Sequence, residues 1–171
     1  MVSLQDILAG GADCHLSRIV PAWAQKRPHQ VALFDQGKTW TYQQLADEQA
    51  RMAALLQACG VRPGDRVMIV GENCAAQIIS LFAIATLDAW VVMVNARLSA
   101  REIDTIREHC GARRTLYMAH TSAEAAAHAE RHKAAALDLG EAGVIALSDL
   151  NPHCEPEPVS RCGDEQVAAL I

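Results

Sequence analysis

The densest apolar region of the chain covers residues 64–97 and contains two short apolar runs on either side of a longer one. Residues 67–70 and 90–94 are short apolar runs, which are typical of strands buried on both faces of a parallel sheet. The segment 74–87 between them carries no charge and predicts a mostly buried helix. Two buried strands joined by a helix form a βαβ unit with a right-handed crossover. We therefore expect the rest of the chain to extend and cover this sheet.

A hairpin is predicted before this unit. The runs 31–34 and 38–42 are rich in β-forming residues and are separated by a short polar turn, in which Gly37 is expected to adopt a positive φ. Trp40 and Tyr42 are predicted to anchor the hairpin on the sheet.

Helices are predicted on both sides of the βαβ unit. Apolar residues at helical spacing over 16–23 predict a first helix, kinked at Pro21 or beginning late because of it. Three capping boxes, in which an N-cap hydroxyl precedes Glu or Gln by three residues, open further helices. These boxes begin at Thr41, Ser99 and Thr121. Gln49 interrupts the apolar stripe of the first of these helices, whose early turns we expect to be less buried. The last is Ala-rich and is predicted to reach about Ala136.

The C-terminal part of the sequence predicts short strands at 115–118 and 144–147, and then a loop. Residues 151–166 contain several prolines and no periodicity. The run 167–171 predicts the start of another buried strand. We therefore expect an α/β subdomain over 1–150, a loop over 151–166, and a chain truncated within a longer protein.

These elements predict an α/β fold with a doubly wound, mostly parallel sheet, flanking helices and an N-terminal β-hairpin. The 171 residues form about one domain. A net charge of −5 without a basic run gives no support for nucleic-acid binding. The uncharged run is too short to span a membrane, and the first residues, which lack a basic region and include Asp6, do not resemble a secretory signal. Six cysteines without CxxC spacing are typical of a reduced, cytoplasmic chain.

Two residue groups near the first βα turn have candidate chemistry. The turn 71–73 offers backbone N–H groups for an anion, although Glu72 opposes one; Asn73 is the predicted N-cap of the helix. Cys74 lies where a helix dipole lowers a thiol pKa, but no neighbouring base is visible. We favour a structural turn and a packed cysteine over an anion site and a nucleophile.

Two other sets of residues have metal-ligand chemistry. His128 and His132 are four residues apart, with Glu124 one turn earlier, but the surrounding sequence favours a solvated helix face. The second set is His153, Cys154 and Cys162. Its spacing matches no standard metal site.

Four blocks in order resemble the AMP-forming adenylating family, which includes acyl- and aryl-CoA synthetases, luciferases and peptide-synthetase adenylation domains. Residues 39–45 (TWTYQQL) resemble its T-Y-x-E-L segment, and 60–67 (GVRPGDRV) resembles G-V-x-x-G-D-R-V. Asn73 is similar to its strand-end asparagine. Residues 94–98 (VNARL) with Glu102 resemble x-N-x-R-L-x-x-x-E. Two departures are Gln44 in place of the usual Glu, and Asp88 in place of the usual Gly.

The resemblance implies the N-terminal subdomain of an ATP-dependent acid:CoA ligase. In that reaction a carboxylic acid attacks the α-phosphate of ATP with Mg²⁺, and CoA then displaces AMP from the acyl-adenylate. The family's phosphate loop, adenine-binding motifs and lysine follow this segment and are absent from the 171 residues, so we expect the chain alone to be inactive. The resemblance also implies that Arg97 lies near the CoA phosphates; an ordinary surface arginine is the alternative.

Two other function classes stay open at this point. One is a stand-alone, non-enzymatic α/β interaction or scaffold domain. The other is a small nucleotide-binding or redox domain, which rests on fold analogy alone. The sequence identifies neither the acid that would be activated nor whether the chain forms a homo-oligomer.

Overall fold

A computed structural model describes residues 15–160, 166–167 and 169–170. In this part of the chain the helices are α1 Leu16–Lys26, α2 Tyr42–Ala58, α3 Ala75–Thr86, α4 Ala100–Cys110 and α5 Ala123–Arg131, with a 3₁₀ turn at Gly140–Ala142. The strands are β1 Val31–Asp35, β2 Lys38–Thr41, β3 Arg66–Gly71, β4 Trp90–Asn95, β5 Arg114–Tyr117, β6 Ala135–Asp138, β7 Val144–Leu147 and β8 Ala169–Leu170.

Six strands form the central sheet in the order β6-β7-β5-β3-β4-β8. Strands β5, β3, β4 and β8 are parallel neighbours, whereas β7 pairs antiparallel with both β5 and β6. The register of the central pair matches Val67 with Val91 and Val70 with Val94. The predicted α/β fold with a mostly parallel sheet is therefore confirmed.

The sheet is covered by helices on both faces, which explains why β3 is a continuous apolar run. Val67 and Ile69 face a core built with α1, α2 and α3, whereas Met68 and Val70 face a second core built with α4 and α5. All four side chains are fully buried. A strand without a solvated face has no position for a polar residue, so the periodicity of two disappears from the sequence.

The hairpin is formed as predicted, but its attachment differs. Gln36 and Gly37 both have positive φ, the geometry of a tight two-residue hairpin turn. The two strands make a separate sheet that contacts α2 and α3. Trp40 is buried in the core, whereas Tyr42 begins α2 and stacks on Trp23 with 5.7 Å between ring centroids. The prediction that Trp40 and Tyr42 anchor the hairpin on the central sheet is therefore wrong for Tyr42.

The structure excludes one of the two alternatives for the first helix. Helix α1 begins at Leu16 with Pro21 inside it, so it does not start late. Gln49, which interrupts the apolar stripe of α2, is buried, because its Nε2 donates to the Ser17 carbonyl at 2.8 Å and to the Thr86 hydroxyl at 2.9 Å. A buried amide that links three helices looks, in sequence, like a break in the apolar stripe.

Helix α5 is shorter than predicted and has a different cap. The predicted capping box at Thr121 is wrong, because the N-cap is Ser122, which accepts a hydrogen bond from Ala125 N, and an alanine at that position cannot complete a box. The helix ends before Lys133, which has a φ of 53°. The alanines that follow belong to β6, which pairs with β7 over residues 135–138. The predicted boxes at Thr41 and Ser99 are both present.

The amino edge of the sheet is held by a fully buried carboxylate, Asp65. It accepts hydrogen bonds from the backbone and guanidinium of Arg62 at 2.8–3.1 Å, and lies 3.5 Å from Nε of Arg113. Next to it, Gly64 has a φ of 78°, and a Cβ there would lie 2.0 Å from the Glu157 carbonyl oxygen. The Gly-Asp-Arg block therefore has a structural reason: it joins the loop after β7 to the start of β3.

Within the described residues, none of the helices combines the length and the apolar character needed to cross a membrane.

Candidate functional site

The connections of the sheet place a crevice at the carboxyl ends of β3 and β4. Helix α3 connects β3 to β4 on one face, and α4 connects β4 back to β5 on the opposite face. In open α/β sheets such a switch of direction leaves a gap between the strand ends, where ligands bind. A cavity of about 390 Å³ lies there. Its lining residues are Gly71, Glu72, Asn73, Gln77, Met93, Val94, Asn95 and Arg97.

An ion pair lies across the mouth of this crevice. Nε of Arg97 is 2.6 Å from Oε1 of Glu72, and the Arg97 side chain is 72% exposed. The Asn95 side chain fixes the turn by accepting a hydrogen bond from Arg97 N at 2.9 Å. An exposed ion pair contributes at most about 1 kcal/mol. An incoming phosphate can therefore compete with Glu72 for the guanidinium, whose planar fork matches phosphate oxygens.

The turn that carries Arg97 is held from behind by His128. This histidine is buried, and its Nε2 lies 3.1 Å from both the Ala96 and the Leu98 carbonyl oxygens. A ring nitrogen between two carbonyl oxygens must carry a proton and donate. His128 therefore fixes the backbone on both sides of Arg97, and the prediction that it lies on a solvated face is wrong.

The start of α3 is already occupied by a carboxylate of this chain. The N-cap is Cys74 rather than the predicted Asn73, and Ala75 N donates to Oδ2 of Asp35 at 2.8 Å. Asp35 ends β1, so a side chain from the hairpin supplies the oxygen that a local N-cap usually provides. This arrangement favours the structural interpretation of the 71–73 turn over an anion site.

Cys74 has the properties of a packed cysteine. Its side chain is buried, and this burial raises the pKa of the thiol. A thiol that stays protonated at neutral pH is a poor nucleophile. The structural interpretation of Cys74 is therefore the one that the geometry supports.

Gln77 is a crevice residue that sequence reasoning missed. It lies on the first turns of α3, is 5% exposed, and its Oε1 has no hydrogen-bond partner within the described residues. An amide in an uncharged, mostly apolar helix was the available signal, but its position at the crevice depends on the strand order. Buried polar groups are normally paired, so Gln77 requires an explanation.

His132 belongs to a second polar cluster, which lies between α4 and α5. Its Nδ1 contacts the hydroxyl of buried Tyr117, and its Nε2 lies 2.8 Å from Oδ1 of Asp104. Burial lowers the pKa of His132, although the hydrogen bond to Asp104 opposes this. For Asp104, burial is outweighed by Arg131 and His132, so its pKa is lowered. The solvated-face prediction is therefore wrong for His132 as well, since its side chain is only 9% exposed.

The candidate metal ligands that fall within the described residues are not brought together. His153 is exposed, whereas buried Cys154 lies beside Asp65, with Sγ 3.7 Å from Oδ1. Cys162 lies outside the described residues. Within the part of the chain that the structure describes, no group of three or more His, Cys, Asp or Glu side chains could hold a metal ion.

Comparison with known proteins gives consistent matches. A family model described as AMP-binding enzyme matches residues 20–170. Feruloyl-CoA synthase from Amycolatopsis sp is 34% identical over 148 residues, which cover 86% of this chain and 28% of that protein. Fatty acid–[acyl-carrier-protein] ligase ScoC from Streptomyces coeruleorubidus is 39% identical over 90 residues, 53% of this chain and 17% of that protein.

Solved structures with the same fold include adenylating enzymes. The NpsA N-terminal subdomain of Klebsiella oxytoca is 29% identical with a TM-score of 0.55, covering 60% of this chain and 26% of that one. The O-succinylbenzoate CoA synthetase of Bacillus subtilis, in complex with ATP and magnesium ion, is 31% identical with a TM-score of 0.53. This match covers 55% of this chain and 26% of that one. The chain spans little more than a quarter of the length of feruloyl-CoA synthase.

Proposed function

Because this chain belongs to the AMP-binding enzyme family, we propose that it is the amino-terminal segment of an ATP-dependent acid:CoA ligase. In the proposed reaction a carboxylate attacks the α-phosphate of ATP, which forms an acyl-adenylate and releases pyrophosphate. The thiol of CoA then attacks the acyl carbon, and AMP leaves. The similarity to feruloyl-CoA synthase over most of the chain supports an acid:CoA ligase within the family.

We assign Arg97 to a phosphate group of CoA in this reaction. The observation that supports this role is its position: an exposed guanidinium at the mouth of a crevice, at the switch point of the sheet, in an ion pair with Glu72. CoA carries three phosphate groups, and bidentate arginine contacts suit them. When CoA arrives, the Arg97 guanidinium exchanges Glu72 for phosphate, and His128 keeps the turn in place.

The adenylation step is assigned to polypeptide outside this segment. No phosphate loop occurs in the sequence, and the described residues do not provide a carboxylate cluster that fits Mg²⁺. We therefore derive no ATP or Mg²⁺ step from these residues. The subdomain over 1–150 with its 151–166 loop and following strand would form a wall of the CoA channel. We also propose a cytoplasmic location, where ATP, CoA and reduced thiols occur together.

The test compares the chain alone with the longest natural polypeptide that contains it. ATP–pyrophosphate exchange is measured with a panel of aryl and fatty acids. We expect acid-dependent exchange, and acyl-CoA formation once CoA is added, for the longer polypeptide, and no exchange for residues 1–171. Exchange by the 171 residues alone would contradict the assignment of the chemistry. A natural product that ends at residue 171 and folds as a stable monomer would favour the stand-alone scaffold domain.

A further inference from the structure

One polar group at the crevice has no role in the contacts described so far. Oε1 of Gln77 is buried and unpaired within the described residues, and the side chain lines the cavity between β3 and β4. An unpaired acceptor inside a cavity requires a donor that the described residues do not supply. Helix α3 carries the Gln77 amide, and the turn after β4 carries Arg97. Both side chains line the same crevice.

We propose that this crevice is a subsite for the amide-bearing pantetheine arm of CoA, and that Gln77 accepts a hydrogen bond from one of its amide N–H groups. This inference rests on the proposed function, because CoA is the cosubstrate assigned there. It adds a specific recognition residue for a part of CoA that Arg97 does not contact.

The chemistry of the lining matches an amide better than it matches another charged group. Besides Gln77, the polar side chains of the crevice are the amides of Asn73 and Asn95 and the Glu72–Arg97 ion pair at the mouth. The ion pair is neutral as a whole, so the interior does not favour an anion. A secondary amide offers one donor and one acceptor, which complement the side-chain amides. Pantetheine carries two such groups.

The order of groups along CoA agrees with the order of residues. In CoA the phosphates precede the pantetheine arm, and in the protein the exposed Arg97 lies at the mouth while Gln77 is buried within. Phosphate bound at Arg97 therefore brings the first amide of the arm towards the crevice. A cavity of about 390 Å³ is within the size range of ligand sites.

The test is an NMR titration of ¹⁵N-labelled residues 1–171 with pantetheine, CoA and ATP. We expect the Gln77 side-chain amide signals to shift with pantetheine and with CoA. Gln77→Leu, which replaces the amide with an apolar side chain of similar size, should weaken pantetheine binding about 10-fold. Arg97→Ala should weaken CoA binding more than it weakens pantetheine binding, because CoA carries the phosphates and pantetheine carries none.

Ser80→Ala is the matched control. Ser80 is also buried on α3, one turn after Gln77, and its hydroxyl has no partner among the described residues, but it does not line the crevice. Its variant should bind pantetheine as the wild type does. Thermal unfolding of each variant verifies that it folds; should Gln77→Leu not fold, Gln77→Met takes its place.

Three outcomes would overturn the subsite: no shift at Gln77 with pantetheine, unchanged pantetheine binding in Gln77→Leu, or shifts at Gln77 with ATP only. These are distinct from failure of the proposed function. If the longer polypeptide forms acyl-CoA but pantetheine does not bind, the subsite alone is wrong. If it forms no acyl-CoA and nothing binds at the crevice, both are wrong.

Discussion

Replacing Asp65 tests whether the amino edge of the sheet depends on one buried carboxylate. Asp65→Ala removes the acceptor of three hydrogen bonds from Arg62, of the 3.5 Å approach of Arg113 and of the 3.7 Å contact from Cys154 Sγ. The two arginines differ in exposure, since the Arg62 side chain is 44% exposed and that of Arg113 is 10% exposed. Arg62 can regain water, whereas Arg113 would keep a buried charge without its partner.

The expected loss follows from that difference. Removing one partner of a buried ion pair typically costs about 3–5 kcal/mol, while an exposed partner contributes at most about 1 kcal/mol. We therefore expect Asp65→Ala to lower the free energy of unfolding by about 3–5 kcal/mol. Asp65→Asn keeps an acceptor for Arg62 N but removes the negative charge, so its free energy of unfolding should be lower by about 2–3 kcal/mol.

Urea unfolding of the chain, followed by circular dichroism, measures this loss. With a slope of about 2 kcal/mol per molar urea, the midpoint of Asp65→Ala should fall by about 1.5–2.5 M. Asp47→Ala is the control, because Asp47 is exposed and bonds only to Gln43 among the described residues. Its midpoint should change by less than about 0.3 M. A loss below about 1 kcal/mol for Asp65→Ala would refute the reasoning about the buried charge.

Three further predictions concern pH, thiol reactivity and a strained turn. Burial lowers the pKa of His132 in the folded chain, so the unfolded chain binds a proton more readily. We therefore expect the melting temperature to decrease when the pH is lowered from about 7.5 to about 5.5. An equally steep decrease in His132→Gln would contradict this. Peptide mapping after brief alkylation should show Cys59 modified well before buried Cys74, whose pKa is raised by burial; the reverse order would revive Cys74 as a nucleophile. Asp88 has a φ of 54°, so Asp88→Gly should stabilise the fold by about 0.5–1 kcal/mol, and a lower melting temperature would disprove the strain.

Local sequence patterns predicted the features whose causes are local. The βαβ unit follows from apolar runs, and the Ser99 capping box from two residues three positions apart. The same strand ends place Asn95 and Arg97 at the carboxyl edge of the sheet, where the crevice lies. Asp88 replaces a residue that is usually Gly in the resembling family, and the structure gives the reason, since the turn requires a positive φ.

Features that depend on distant residues were predicted incorrectly. The start of α3 is capped by Asp35 from the hairpin rather than by Asn73. His128 was predicted to lie on a solvated face, and Gln49 was interpreted only as a break in the apolar stripe, but each is buried by partners more than 25 positions away in the chain. Gln77 was missed for the same reason: its position at the crevice follows from the strand order, which no local pattern contains.

The most direct test of the central claim, that the crevice at the carboxyl edge serves the CoA step, is the KM for CoA of Arg97→Ala in the longer polypeptide. Arg101→Ala is the matched control, since Arg101 is exposed on the neighbouring turn but does not line the crevice. Loss of a charge-assisted phosphate contact should raise the KM for CoA by about 10-fold or more in Arg97→Ala. ATP–pyrophosphate exchange should be unchanged, and Arg101→Ala should resemble the wild type. An unchanged KM for CoA, or a parallel loss of exchange, would contradict the account.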